Sequence, residues 1–257
     1  MTGEVHYSAT GGVGAVIFDR PNAHNAMTWS MYEALAAICD RIAADPSLRV
    51  VTFRGAGGEA FVAGTDILQF SEFRGAEDGV SYEATLNTRI AQIESLPVPT
   101  LAIIDGWAMG GGLTIAAACD FRIATPTARF GVPIASTLGN CLSIANTARV
   151  ISAFGSSRAK RMLMLADTLD AREALACGFL TEIAEAGVID NRAAILCDKL
   201  ARNAPITMRV MKEGIRRLLS TGQPDGDDLV RECYGSQDFK IGVESFIAKK
   251  PRNWTGK

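Results

Sequence analysis

The stretch Val98-Pro-Thr-Leu-Ala-Ile-Ile-Asp-Gly-Trp-Ala-Met-Gly-Gly-Gly-Leu-Thr-Ile-Ala-Ala-Ala-Cys119 decides the fold. It is long and apolar enough to raise the question of a membrane span, with Asp105 as its single charge. Pro99 and the glycines at 106, 110, 111 and 112 argue against that. The stretch reads as a buried strand over 100–104, a tight turn, and a buried helix over 110–118. No membrane partner is expected.

The same alternation runs outward from it. Val5 to Ala9, the turn Gly11-Gly12-Val13-Gly14, and Ala15 to Phe18 predict a hairpin. Thr28 is placed to cap a helix whose one face carries Met31, Leu35, Ile38, Cys39 and Ile42. Arg49 to Phe53 predicts a buried strand, Gly55 to Gly64 a glycine-rich loop, and Ser81 to Leu96 a helix stopping before Pro97. Phe121–Ala124 and Ala128–Phe130 read as short strands. After Gly139 the chain reads as helical, with breaks near Gly155, Gly178, Pro205 and Gly222, and with 180–183 open to a strand. The order is strand, strand, helix, repeated, then a helical tail. The fold class is α/β with helices on sheet faces. A composition shift near Gly187 divides a core, 1–187, from a helical region, 188–257.

With 257 residues the chain can bury a large core without disulfide or metal staples. Hydrophobic residues at 48% and charged residues at 21% exclude wholesale disorder. A net charge of −2 gives no excess of cations for phosphates, so no nucleic-acid partner is expected. The helix over 81–96 has Arg89 as its one basic residue, which argues the same way. The six cysteines form no CxxC pair and the histidines are His6 and His24, so no metal site is expected. Unpaired thiols and the absence of an export signal predict the cytoplasm.

Several familiar loops fail. Gly110 and Gly112 are followed by Ile115, and Gly12 and Gly14 by Ile17, where a dinucleotide loop needs glycine. There is no complete phosphate loop and no GxSxG elbow. Two glycine-rich turns remain, Gly58-Glu-Ala-Phe-Val-Ala-Gly-Thr-Asp-Ile67 and Asp105-Gly-Trp-Ala-Met-Gly-Gly-Gly-Leu-Thr114. Amides at a helix start are unpaired, and two from different loops could hold one carbonyl oxygen as an oxyanion hole. The glycines equally suit close packing of strand on helix.

Five segments taken together resemble the enoyl-CoA hydratase/isomerase (crotonase) family. They are Arg20-Pro-Asn-Ala-His-Asn-Ala-Met27, Ala60-Phe-Val-Ala-Gly-Thr-Asp-Ile67, Asp105-Gly-Trp-Ala-Met-Gly-Gly-Gly112, Cys119-Asp-Phe-Arg-Ile-Ala124 and the closing Phe246-Ile-Ala-Lys-Lys-Pro-Arg-Asn-Trp-Thr-Gly256. The resemblance implies a crotonase-like spiral of ββα units with a C-terminal helical trimerisation region, as a homotrimer or a dimer of trimers. It implies an acyl-CoA thioester as ligand, with coenzyme A part of the substrate and no permanently bound cofactor. It places oxyanion-hole amides at Thr65 and Gly111, and CoA contacts at Ala23, Ala63, Asp66, Ile67, Leu68, Phe246 and Lys249.

The resemblance also marks a departure. The family's hydratases use two glutamates, one as base and one as acid, around a water. Thr114 and Ile134 occupy those positions here, so ordinary hydration of an enoyl thioester is expected to be weak or absent. Between Ala128 and Arg149 there is no Asp, Glu or His. Asn140 is the polar side chain there singled out for orienting a water or acyl group. Tyr234 and Glu232 on the C-terminal helices are further candidates. Asp120 reads as a buried partner of nearby backbone or of Arg122, Cys141 as a small buried thiol, and His24 as a surface residue. The expected activity is processing of an acyl-CoA through a stabilised enolate. The alternative is a CoA-binding or scaffold protein that has lost the chemistry.

Overall fold

A computed structural model describes residues 3–203, 205–220 and 227–251. The predicted hairpin is β1 (Glu4–Thr10) and β2 (Val13–Asp19), paired antiparallel. Helix α1 (Trp29–Ala43) follows, with Thr28 Oγ1 accepting from the Met31 amide and the predicted face buried. Then come β3 (Val50–Gly55), β4 (Ala60–Val62), α2 (Ala76–Glu94), β5 (Thr100–Ile104), β6 (Trp107–Met109), α3 (Gly111–Ala118), β7 (Phe121–Ala124) and β8 (Arg129–Gly131). The chain continues through α4 (Ile134–Thr137), α5 (Ile144–Met164), β9 (Thr168–Asp170), α6 (Ala171–Ala176) and β10 (Glu182–Ile183). Four helices complete it, α7 (Ile189–Ala201), α8 (Pro205–Ser220), α9 (Asp227–Tyr234) and α10 (Gln237–Ile247).

After the β1–β2 hairpin, which lies in one sheet, each of the pairs β3–β4, β5–β6 and β7–β8 divides its strands between two sheets. The larger sheet runs β1-β2-β3-β5-β7-β10 and is parallel from β2 onward. The smaller runs β4-β6-β8-β9, parallel except for β9. All five residues of β5 are buried. A parallel strand covered on both faces reads as an unbroken apolar run, and this one does. The main core joins the inner face of α1 to β2, β3, β4 and α3, with Phe18 packed edge-on against Phe61 at 5.6 Å. Val50, Leu101 and Ile123 pack against α7 in a second cluster.

The predicted strand-turn-helix over 98–119 is present, and no helix among the described residues is long and apolar enough to cross a membrane. The turn after β5 contains a strand of its own, β6. The loop read over 55–64 likewise contains β4, and the region read as helical after Gly139 contains β9. All three are three-residue strands, too short to show a period. Helix α2 begins at Ala76, earlier than Ser81, because Asp78 caps the amides of Arg74 and Gly75. The break at Gly155 is a left-handed residue within α5 (φ 75°). The break read near Gly222 lies outside the described residues.

Candidate active site

The parallel pairing of β4 with β6 lays the turn after β4 against the start of α3. Met27 bridges that turn. Its amide donates to Gly64 O and its carbonyl accepts from the Asp66 amide, both at 2.8 Å. These bonds engage the residues on either side of Thr65 and leave the Thr65 amide over. At α3, the Gly110 amide donates to Gly131 O at 2.9 Å and the Thr114 amide to Gly110 O at 3.2 Å. Gly111 is the first residue of the helix, where amides have no intrahelical partner. Among the described residues, neither the Thr65 nor the Gly111 amide has an acceptor. The two are close. A Cβ built on Gly111 would lie 4.0 Å from Thr65 N and 3.4 Å from Thr65 Oγ1. Two such donors can share one carbonyl oxygen and hold the negative charge it gains.

Side chains fix the rest of this turn. Asp66 pairs with Arg20 at 2.8 Å and accepts the Leu68 amide at 3.1 Å, which makes it a support of the turn. Asn25 is fully buried. It accepts the Arg20 amide and donates to Ala56 O and Ala60 O, so it locks the segment 20–27 onto β4. Ala63 and Ile67 are half-buried and Leu68 is exposed, 59%. Pro21, Asn22, His24, Gly57 and Glu59 line a cleft of about 170 Å³ beside Ala23. His24 is exposed, as read. Phe246 and Lys249, at the end of α10, are also exposed.

The positions at which the resemblance expects glutamates differ from each other. Thr114 is fully buried and its hydroxyl donates to Gly111 O at 2.8 Å. Ile134 is half-buried at the start of α4. Asn140 donates to Tyr234 Oη at 3.2 Å, while its buried Oδ1 has no partner among the described residues. Tyr234 in turn donates to Glu83 Oε1 at 3.1 Å, and the Ser143 amide donates to Glu83 Oε2 at 2.7 Å. The structure thus joins two sequence candidates, Asn140 and Tyr234, to a glutamate the sequence reading passed over. The Glu232 side chain lies outside the described residues.

Burial pushes the Glu83 carboxyl up to about 7, with the hydrogen bonds from Ser143 and Tyr234 opposing it. The folded chain therefore keeps a proton that the unfolded chain, at its ordinary value of 4.5, gives up. This contribution to stability is full below 4.5 and is lost as pH rises through the folded value. The loss is roughly 3 kcal/mol. Urea unfolding across that range should show the decline, and Glu83→Gln should flatten it. An unchanged slope in the variant would remove Glu83 as its source.

Tyr32 and Tyr82 were also missed. Both phenols lie 2.8 Å from Thr65 Oγ1, and burial raises both pKa values. Both lie on buried helix faces, where the sequence gives no sign of what a hydroxyl meets. Glu83 did leave a signal, because it occupies the buried stripe of α2 with Gly79, Leu86 and Ile90.

The sequence reading of Asp120 holds in part. Asp120 pairs with Lys212 at 2.7 Å and accepts from the Thr100 amide and hydroxyl, while Arg122 donates to main-chain carbonyls, Phe179 O at 2.6 Å among them. The reading of a main-chain partner holds at Thr100, while α8 brings a lysine where Arg122 was the alternative partner. Cys119 is fully enclosed and its thiol is pushed up to about 12, which makes it inert. It lines a cavity of about 680 Å³ with Ala117, Asp120, Arg149, Phe179 and Lys212. That cavity sits at the far end of α3 from the unpaired amides. Its half-buried carboxylate is engaged by Lys212 and Thr100, and its buried thiol stays protonated. Among the described residues no group of three metal-ligating side chains is present.

A sequence profile described as enoyl-CoA hydratase/isomerase matches residues 8–257. The chain is 31% identical to a short-chain-enoyl-CoA hydratase of Clostridium acetobutylicum, over 93% of each chain. It is 32% identical to an enoyl-CoA isomerase/hydratase of Mycosarcoma maydis, over 96% of this chain and 93% of that one. Among solved structures, an enoyl-CoA hydratase/carnithine racemase from Magnetospirillum magneticum superposes with a TM-score of 0.81 at 30% identity, covering 98% of this chain and 96% of that one. A methylmalonyl-CoA decarboxylase shares the fold with a TM-score of 0.90 at 23% identity, over 99% of each chain. The chain has the crotonase fold, and it belongs to the enoyl-CoA hydratase/isomerase family.

Proposed function

We propose that this enzyme seats an acyl-CoA with its thioester oxygen between the Thr65 and Gly111 amides and stabilises the enolate that forms there. The observation that carries the reading is the pair of main-chain donors, close together and without acceptors among the described residues. They are part of the backbone and stay fixed as charge develops, so they need no reorganisation during the reaction. Thr114 and Ile134 bring no carboxylate to position or deprotonate a water, so hydration of simple 2-enoyl thioesters is slow. Asn140, held by Tyr234, orients the acyl group or a water without titrating.

Coenzyme A itself lies along the turn of Ala63, Ile67 and Leu68 and past the cleft beside Ala23. Lys249 supplies a point charge to its phosphates and Phe246 an apolar face. The helical region after residue 187 forms a trimer or a dimer of trimers. Helix α8 supports this, with Ile206, Val210, Met211, Ile215, Leu218 and Leu219 exposed. Sedimentation equilibrium reads that state directly.

The test of the enolate reading is mass spectrometry of CoA thioesters incubated with the enzyme in deuterated water. The panel contains 2-enoyl, 3-enoyl, saturated and malonyl-type members. The expected result is deuterium at the carbon next to the thioester, or loss of carbon dioxide from the malonyl type, with little water added to the 2-enoyl member. CoA binding with no change in any thioester would overturn the enolate reading and favour a non-catalytic CoA-binding protein.

A further inference from the structure

Three hydroxyls meet beside the unpaired amides. Thr65 Oγ1 stands between Tyr32 Oη and Tyr82 Oη, 2.8 Å from each. Burial keeps both phenols protonated. Three hydroxyls carry three protons, and two contacts use two of them. One proton is left over however the donors are arranged. Among the described residues, none of the three has a further hydrogen bond. The rings around Tyr82 include Trp29 at 5.4 Å, Phe70 at 4.9 Å and Tyr234 at 6.1 Å, and the Tyr234 hydroxyl is engaged by Asn140 and Glu83. The adjacent Glu83 is already engaged by Tyr234 and the Ser143 amide. The cluster borders the gap between the amides, since a Cβ on Gly111 would stand 2.8 Å from Tyr32 Oη.

We propose that this unspent proton selects the acyl group. The site takes thioesters whose acyl chain carries a hydrogen-bond-accepting oxygen on its α or β carbon, as 3-oxoacyl and malonyl-type thioesters do. It disfavours hydrocarbon chains of the same length. The proposal rests on the reading that the Thr65 and Gly111 amides hold the thioester oxygen. Thr65 supplies both one of those amides and the central hydroxyl, so the oxygen that meets the spare proton must lie within a few bonds of the thioester carbon. An oxygen there completes the count. A hydrocarbon chain instead seals an O–H away from water with no partner, which is the costly arrangement.

The test measures Kd by calorimetry for acetoacetyl-CoA, butyryl-CoA and free CoA on the full-length enzyme. Wild type is expected to prefer acetoacetyl-CoA to butyryl-CoA by about tenfold or more. The triple variant Tyr32→Phe/Thr65→Val/Tyr82→Phe removes all three protons and both contacts and keeps the Thr65 amide. It should lose the preference. Tyr32→Phe alone and Tyr82→Phe alone each remove one proton and one contact, leave one proton over, and should retain most of it. Equal affinity of wild type for the two thioesters, or a preference that survives in the triple variant, overturns the proposal. Should the triple variant not fold, as free CoA binding and circular dichroism would show, wild type and the single variants still decide, because loss of the preference in both singles contradicts the proton count. If neither thioester binds wild type more tightly than free CoA does, the placement of the thioester between the amides is itself wrong.

Discussion

Thr114→Glu combined with Ile134→Glu raises the hydration of crotonyl-CoA by at least about 100-fold, since a positioned acid or base is worth that much and two are being supplied. The proposed oxyanion pair would already be in place, because it is made of backbone. In the proposed site, what the chain lacks is a base on the water and an acid at the carbon. Thr114 sits on the first turn of α3 with its hydroxyl turned back to Gly111 O, and Ile134 opens α4. Either substitution alone supplies half of the machinery and should gain far less than the pair, because the two carboxylates act on one water. Thr114 is fully buried, so the glutamate must extend toward the cleft. Progress is read as loss of the enoyl absorbance, with circular dichroism and oligomer mass as controls. No gain in a well-folded double variant would show that these positions do not flank the reacting carbons.

Alanine at two adjacent glycines should separate chemistry from folding. A Cβ on Gly112 would lie 1.9 Å from Val62 O, a main-chain atom held in β4. Helix α3 must lift off the small sheet, so Gly112→Ala is expected to lose about 4 kcal/mol or more, at the severe end for a single change. A Cβ on Gly111 meets side-chain ends instead, Tyr32 Oη at 2.8 Å and Thr65 Oγ1 at 3.4 Å, which can move aside. Gly111→Ala should fold, with its methyl group in the gap between the two amides. Deuterium exchange into a saturated acyl-CoA should then fall by about 100-fold, the scale of losing one oxyanion donor. Denaturant titration and the exchange rate together decide. A stable Gly112→Ala would mean that α3 does not pack this closely, and a fully active Gly111→Ala would move the thioester elsewhere.

The fold was legible where the chain is long and periodic. Thr28 and the face of Met31, Leu35 and Ile42 gave α1, and the apolar run 100–104 with its glycine turn gave the strand and helix at its centre. The strands β4, β6 and β9 were not legible, since three residues carry no period, yet β4 and β6 are what bring Thr65 to Gly111. The turns themselves were legible from glycine spacing. That their amides lack acceptors was not, because it depends on which neighbouring groups Met27 and Gly131 engage. Tyr32 and Tyr82 were hidden for a different reason. An aromatic on an apolar helix face looks the same whether its hydroxyl ends in a cluster or in solvent. Lys212 was invisible as the partner of Asp120 because only the packing of α8 brings it there.

The two unpaired amides come from successive ββα turns and belong to the main chain. No codon change can delete an N–H short of introducing proline, so mutation can rework every side chain around the gap and leave the donors standing. The same architecture can therefore gain or shed acids, bases and hydroxyls by substitution, and the absence of carboxylates at 114 and 134 leaves both donors in place. Selection acts on the lining, while the scaffold hands down the donors unaltered.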